Sequence, residues 1–194
     1  MKLCGLDFET ANFCNGSICA VGAALIENGI TIERLEYLIK PHKSMDYINH
    51  TCQDVHGIAY EDLRESPEFS QIWQRVRQLL VSADCVVIHN APFDLRHLHN
   101  VLSLYHLPSV SFDYVCSLQL CRYHFPEAHS HSLNCMADMF GITFQHHDAL
   151  EDAETCAKIA SLLKIPDFPV NLHRLSHEHP GRIYSSNQAI YEAL

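Results

Sequence analysis

The chain carries nine cysteines, yet no two of them stand in the Cys-x-x-Cys spacing of a zinc knuckle or a redox pair. The N-terminus also lacks a basic segment followed by an apolar run. Neither a secretory leader nor a stable disulfide framework is therefore expected, and a reducing cytoplasm suits the thiols. No stretch reaches the ~18 to 20 uninterrupted apolar residues of a membrane-spanning helix, so a soluble protein with no membrane partner is expected. Basic residues are scarce: 13 Lys and Arg stand against 23 Asp and Glu, a net charge of −10. That balance argues against gripping long duplexes on a basic face, because counterion release from phosphates needs clustered cations. It suits an enzyme that gathers carboxylates around divalent ions, whose charge then meets the phosphate, although many cytoplasmic proteins are simply acidic. Internal repeats and low-complexity tracts are absent as well.

What is present suffices for one core, at 194 residues and 47% apolar composition. Leu3 to Glu9 reads as a strand with Cys4, Leu6 and Phe8 on one face and Gly5, Asp7 and Glu9 on the other. Two further apolar runs, Ile18 to Ile26 and Ile30 to Ile39, meet across Asn28-Gly29, the favoured pair for a two-residue hairpin turn. Helical spacing of Phe69, Ile72, Trp73, Val76, Leu79 and Leu80 predicts a helix over Pro67 to Val81, followed by a buried strand at Cys85 to Ile88. A helix opens at Pro92 and runs to Leu107, a weak strand follows at Phe112 to Val115, and helices are expected near Ser117 to Phe125, Ser132 to Phe140 and Leu150 to Leu163. The pattern implies an α/β fold: a mixed five-stranded sheet, three antiparallel strands and then parallel ones, flanked by helices. Residues 1–165 form the expected domain. Prolines and histidines mark residues 166–194 as a C-terminal tail whose Leu172, Leu175, Ile183 and Ile190 could dock on the body or on a partner.

Four carboxylates then draw attention. Asp7 and Glu9 project from one strand face with backbones ~6.5 Å apart, a spacing that serves two ligands of one metal cluster and equally a solvated strand face. Asp94 lies on the apolar stripe of Leu98, Val101 and Leu102, where an unpaired charge is costly, so it calls for a cation or for several donors. Capping the helix is the competing role for Asp94, and the same holds for Asp152, which begins the last helix beside Ala153, Cys156 and Ala157. If both helices start near one sheet edge, the four acids converge and would hold hard cations, two Mg²⁺ or Mn²⁺ in preference to zinc. Phosphodiester hydrolysis is the chemistry such a pair of ions serves.

Three segments, Asp7-Phe8-Glu9-Thr10, His89-Asn90-Ala91-Pro92-Phe93-Asp94 and His147-Asp148-Ala149-Leu150-Glu151-Asp152-Ala153, resemble in kind and order the motifs of the DEDDh exonucleases. The likeness spans about residues 2 to 164, takes in Val55-His56-Gly57-Ile58 and Ser130-His131-Ser132-Leu133, and is greatest to the proofreading subunits of bacterial DNA polymerase III and their stand-alone relatives. It implies a ribonuclease H-like fold and 3′ to 5′ removal of nucleoside monophosphates. By the same resemblance Asp7 bridges two metals, Glu9 and Asp152 help hold the catalytic one, Asp94 serves the second, and His147 is the general base. His146 stands beside it, but only His147 puts Ala149, Asp152 and Ala153 in the family's register. Thr10, Val55, His56, Asn90 and Phe93 are implied to line the nucleotide pocket; read from pattern alone, Phe93 could equally be core and His56 an ordinary loop residue.

The expected substrate is a single-stranded or frayed DNA 3′ end, with RNA trimming as the rival and a non-catalytic docking module as a reading of another class. A polymerase or repair partner could take the tail. His173, His177 and His179 in the tail could bind zinc, but this reading is set aside, and Cys14, Cys19, Cys116 and Cys121 match no common structural zinc spacing. The cysteines read instead as small buried apolar residues, with none singled out as a nucleophile.

Overall fold

The computed structural model describes residues 1–163 and the two-residue strand His173–Arg174. Three long strands open the chain: β1 (Lys2–Thr10), β2 (Ile18–Glu27) and β3 (Ile30–Leu38), each antiparallel to the next. Asn28 and Gly29 join the latter two with φ of 52° and 80°, the left-handed pair that the hairpin turn demands. On the other side of β1, β4 (Cys85–Ile88) and β5 (Asp113–Cys116) run parallel to it in turn. The strand order is β3-β2-β1-β4-β5, the expected mixed sheet of three antiparallel strands followed by parallel ones, and β6 (His173–Arg174) adds a short antiparallel pairing on the edge of β5. Sequence pattern does not announce β6. The rest of the expected tail, with His177, His179 and its apolar residues, lies outside the described residues.

Among the described residues, seven helices connect and cover the sheet: α1 (His50–His56), α2 (Tyr60–Leu63), α3 (Phe69–Ser82), α4 (Pro92–Leu104), α5 (Ser117–His124), α6 (Leu133–Phe140) and α7 (Ala149–Leu162). The last five fall where the apolar spacing puts them, within a few residues at the ends. The two short ones, α1 and α2, go beyond the sequence expectation because they are too brief to show a periodic stripe. The ends of α1 were nonetheless marked: the Asn49 side chain accepts the Thr51 N–H, and Gly57 closes the helix at φ 74°.

Alternation along β1 divides the core in two. Cys4, Leu6 and Phe8 pack with Phe69, Trp73, Val76, Leu98 and Val101 of α3 and α4. The opposite face sets Leu3, Ile26, Val87 and Val115 against Leu120, Met136, Cys156 and Ile159 of α5, α6 and α7. Cys19, Cys116 and Cys121 are buried as expected of small apolar residues, whereas Cys14 is exposed; all nine cysteines are free thiols.

α7 approaches the sheet closely at two glycines. A Cβ at Gly5 would overlap the carbonyl of Ala153, and one at Gly22 would overlap that of Ala149. Glycine is thus needed at two paired strands for α7 to lie backbone against backbone on β1 and β2. Glu154, buried on α7, holds the helix to β3: it pairs with Arg34, accepts from Thr31 Oγ1 at 2.7 Å and meets Lys158 Nζ at 2.6 Å. The position of Asp152 follows from these contacts. Among the described residues, no helix is long and apolar enough to cross a membrane.

Candidate active site

Asp7 and Glu9 lie toward the C-terminal end of β1, on the face that α7 covers. Asp7 is paired with Gly22, so no side chain on the neighbouring strand crowds it. A register shift follows between Glu9 and Thr10, a bulge of the kind that re-aims side chains beside functional sites. Asp152, in the first turns of α7, meets both residues. One carboxylate oxygen from each of Asp7, Glu9 and Asp152 lies within 4.8 Å of the others.

Asp94 arrives from the opposite layer. Asn90 turns the chain at φ 61°, Pro92 starts α4, and Asp94 follows within the first turn. Only 2% of Asp94 is exposed, and its Oδ1 accepts the Phe8 N–H of β1 at 3.1 Å. It therefore bonds across to the first strand as well as to its own backbone N–H, while Ala91 holds the N-cap position of α4. Asp152 is not the cap of α7 either. That role belongs to Asp148, whose Oδ1 accepts from Leu150 and Glu151 at 3.1 and 3.0 Å. The capping alternative for Asp152 is thereby answered in geometry, while Asp94 bonds both to β1 and to its own turn.

Electrostatics mark these carboxylates as a unit. Burial, followed by repulsion from Asp94, Asp152, Glu9 and Asp148, pushes the Asp7 carboxyl well above the usual carboxylate range. Glu9 is pushed up to about 8 by burial and then by Asp152, Asp94 and Asp148. Asp94 is also raised to about 8 by burial, against the opposing pull of the Phe8 N–H. Asp152 is raised by burial and partly relieved by His146. Among the described residues no lysine or arginine forms an ion pair with any of the four. A buried set of oxygen donors lacking a protein cation is the donor chemistry that Mg²⁺ or Mn²⁺ takes, so the residues fit hard divalent ions.

The two histidines before α7 divide their contacts unexpectedly. His146 Nδ1 lies 3.0 Å from each Asp152 oxygen, while His147 touches that carboxylate through its backbone N–H, at 3.2 Å from Oδ2. The His147 backbone is left-handed, at φ 66°, its side chain is exposed, and its ring stacks on that of His146 at 3.8 Å. Burial and then His146 lower the His147 pKa, with Asp152 acting against them. Register in sequence picked out His147, but nothing in the spacing revealed that His146 is the imidazole on the carboxylate.

Of the expected pocket residues, His56 and Thr10 are joined to each other, and Val55, Asn90 and Phe93 lie at the surface. His56 Nε2 sits 3.2 Å from the Thr10 carbonyl oxygen, and burial lowers the His56 pKa. Val55 is exposed, and so is Phe93 at 41%, which places Phe93 at the surface and not in the core. The Phe93 ring lies 4.6 Å from that of His97, whose Nδ1 accepts the Gly16 N–H at 3.1 Å. Asn90 is exposed, and its carbonyl accepts the Phe93 N–H at 3.0 Å. One residue missed in the sequence is Asn12. Fully buried, it donates to the carbonyls of Met45 and Tyr47 at 3.0 and 2.9 Å and accepts from the Cys14 N–H at 3.0 Å, fixing the loop that leaves β1. Its position directly after Asp7-Phe8-Glu9-Thr10-Ala11 was the available signal.

The family model for exonucleases of the RNase T type matches residues 4–160. The chain belongs to this exonuclease family. Family members of this kind generally use divalent metal ions. The DNA polymerase III epsilon subunit of Rickettsia prowazekii is 28% identical over 150 residues, covering 73% of this chain and 63% of that protein. The PolC-type DNA polymerase III of Bacillus subtilis is 28% identical over 151 residues, 77% of this chain and 10% of the polymerase. The exonuclease domain thus spans about a tenth of the PolC-type relatives and under two thirds of the epsilon subunit. In fold it is similar to exonuclease X solved with 5′-overhanging duplex DNA, at a TM-score of 0.68, 20% identity and coverage of 84% of this chain and 92% of that one. It is similar also to a 3′-exonuclease solved for its recognition of the histone mRNA stem-loop, at a TM-score of 0.76, 14% identity and coverage of 97% and 71%.

Proposed function

We propose that the chain is a 3′ to 5′ exonuclease that releases nucleoside monophosphates from single-stranded or frayed DNA ends in the cytoplasm. The observation that carries this reading is the convergence of Asp7, Glu9 and Asp152 within 4.8 Å, joined by buried Asp94 from the other layer. Bound divalent ions would supply the positive charge that a phosphodiester needs at its leaving oxygen and would ease ionisation of the attacking water. Asp7, Glu9, Asp94 and Asp152 are the residues that would hold these ions, with Asp7 shared between them by the family resemblance. His147, whose pKa is lowered by burial and by His146, is the residue we assign to take the proton of the attacking water. The bond between phosphorus and the 3′ oxygen of the preceding sugar then breaks, leaving a nucleoside 5′-monophosphate and a shortened strand. Val55, His56 and Phe93, with Thr10 and Asn90, form the rim against which a terminal base can stack without being read for identity.

The matches to polymerase III subunits support DNA, while the structural neighbours include proteins solved with DNA and with RNA. Residues 1–165 are read as the catalytic domain and 166–194 as the segment for a polymerase or repair partner. Incubation of 5′-labelled DNA and RNA strands with Mn²⁺ tests the proposal. Stepwise shortening of DNA from its 3′ end, abolished by Asp7→Asn, is expected. Preferential shortening of RNA would reassign the substrate, and equal activity in the variant would remove the catalytic role.

A further inference from the structure

Asp152 has two sets of neighbours. On one side stand the oxygens of Asp7 and Glu9; on the other, a ring nitrogen from each of His146 and His147 also lies within 4.8 Å of an Asp152 oxygen and of the other. The two sets differ in chemical taste. Three carboxylates suit a hard ion that keeps several waters, whereas two imidazoles and one carboxylate make the nitrogen-rich set that borderline ions prefer.

We propose that His146, His147 and Asp152 form a second cation site, selective for Zn²⁺ and similar borderline ions, which competes with the carboxylate site for Asp152. Tetrahedral coordination with bonds of ~2.0 to 2.1 Å sets ligand atoms about 3.3 Å apart, so the group must close by no more than about 1.5 Å. His146 Nδ1 is already 3.0 Å from both Asp152 oxygens, which leaves His147 to make most of the movement. Its ring is exposed and stacked at 3.8 Å on that of His146, and among the described residues the ring makes no hydrogen bond that would restrain it. Asp152 itself is fixed by the seating of α7 on Gly5 and Gly22, so the carboxylate acts as the anchor and the loop as the moving part. A fourth position remains open toward solvent. An ion held there draws the Asp152 oxygen away from the hard-ion site and ties up the His147 ring. Zn²⁺ should therefore oppose Mn²⁺ at the other site.

Cobalt(II) added to the metal-free full chain is the probe, because its visible spectrum reports geometry and its near-ultraviolet region reports thiolate ligands. A tetrahedral spectrum without sulfur charge transfer is expected, with affinity weakened about 10-fold or more by His146→Gln. Titration with Zn²⁺ should follow the same order, while Mn²⁺ binding to His146→Gln stays within about 3-fold of wild type and Asp94→Asn leaves the cobalt spectrum unchanged. His147→Gln gives the same cobalt result if the first variant does not fold. An unchanged spectrum in both variants, or a thiolate band, overturns the site. Inhibition of strand shortening by Zn²⁺, relieved in His146→Gln, rests on the proposed nuclease activity; the cobalt spectrum does not, so failure of one is separable from failure of the other.

Discussion

Replacing Asp94 by Asn should make the metal-free protein more stable and the enzyme far less active. The side chain is 2% exposed, and its carboxyl is raised from an ordinary 3.8 to about 8, chiefly by burial. A shift of about 4 units corresponds to a ceiling on the order of 5 kcal/mol of folding free energy lost when the group is ionised. Relaxation and water entry shrink such terms, and Asn keeps an oxygen for the Phe8 N–H, so a net gain of about 1 to 3 kcal/mol is expected. For a chain of this size that raises Tm by roughly 3 to 10 °C. The sign is fixed by linkage. Because the folded pKa lies above the unfolded one, the neutral form's stability is fully present below about pH 4 and is lost as pH rises through about 8. The variant's advantage should thus be negligible near pH 4 and grow to its maximum near pH 8 to 9. Thermal melts of both proteins in chelator across this range, paired with Mn²⁺-dependent strand shortening, give the answer. Activity should fall by more than about 100-fold. A Tm difference that is negative, or independent of pH, would refute the claim that Asp94 sits as a costly buried anion; unchanged activity would refute its role in holding a cation.

The same reasoning applies to the whole cluster in the wild type: with Asp7, Glu9 and Asp94 all raised, Tm in chelator should drop between about pH 5 and 8, and saturating Mn²⁺ should restore more at pH 8 than at pH 5. Melting curves that are flat across this window would argue against a shared buried charge. Gly22→Ala puts a methyl group into the Ala149 carbonyl; lifting α7 should cost about 1 to 3 kcal/mol and weaken Mn²⁺ binding, because Asp152 rides on that helix. Calorimetric Mn²⁺ affinity equal to wild type would show that Asp152 is not positioned by this contact. Phe93→Ala, at an exposed position, should leave Tm nearly unchanged while weakening single-strand binding by roughly 1 to 3 kcal/mol, read as a higher KM with little change in kcat. A fall in kcat alone would move Phe93 from the rim to the chemistry.

The parts of the fold that sequence disclosed are those carried by a repeating physical signal. Alternation along Leu3 to Glu9 assigned Cys4, Leu6 and Phe8 to one core and the two acids to the other face, and the structure divides them in that way. Asn28-Gly29 named its own turn because few residues accept two left-handed positions in succession. α1 and α2 lacked any such repeat, and β6 is a two-residue pairing whose existence depends on where β5 ends. Gly5 and Gly22 were visible as letters, but their meaning was not: a glycine in a strand marks a close approach only when the partner is known, and the partner lies some 130 to 150 residues further along the chain.

For the site, the same boundary separates which residues take part from how they are connected. Asp94 stood out because a charge on an apolar stripe needs a partner, and the structure supplies one in the Phe8 N–H. Spacing could not identify that partner, which comes from a strand 86 residues away. Nor could it distribute roles between two adjacent histidines. On a regular helix or strand, neighbouring residues point in different directions and register decides between them; in the turn before α7, a left-handed His147 swings its ring back onto His146 and lets both reach one carboxylate. The family resemblance therefore selects a candidate base, while backbone conformation decides which imidazole meets Asp152 before any cation arrives. The competition proposed between hard and borderline ions arises from this local departure from regular geometry.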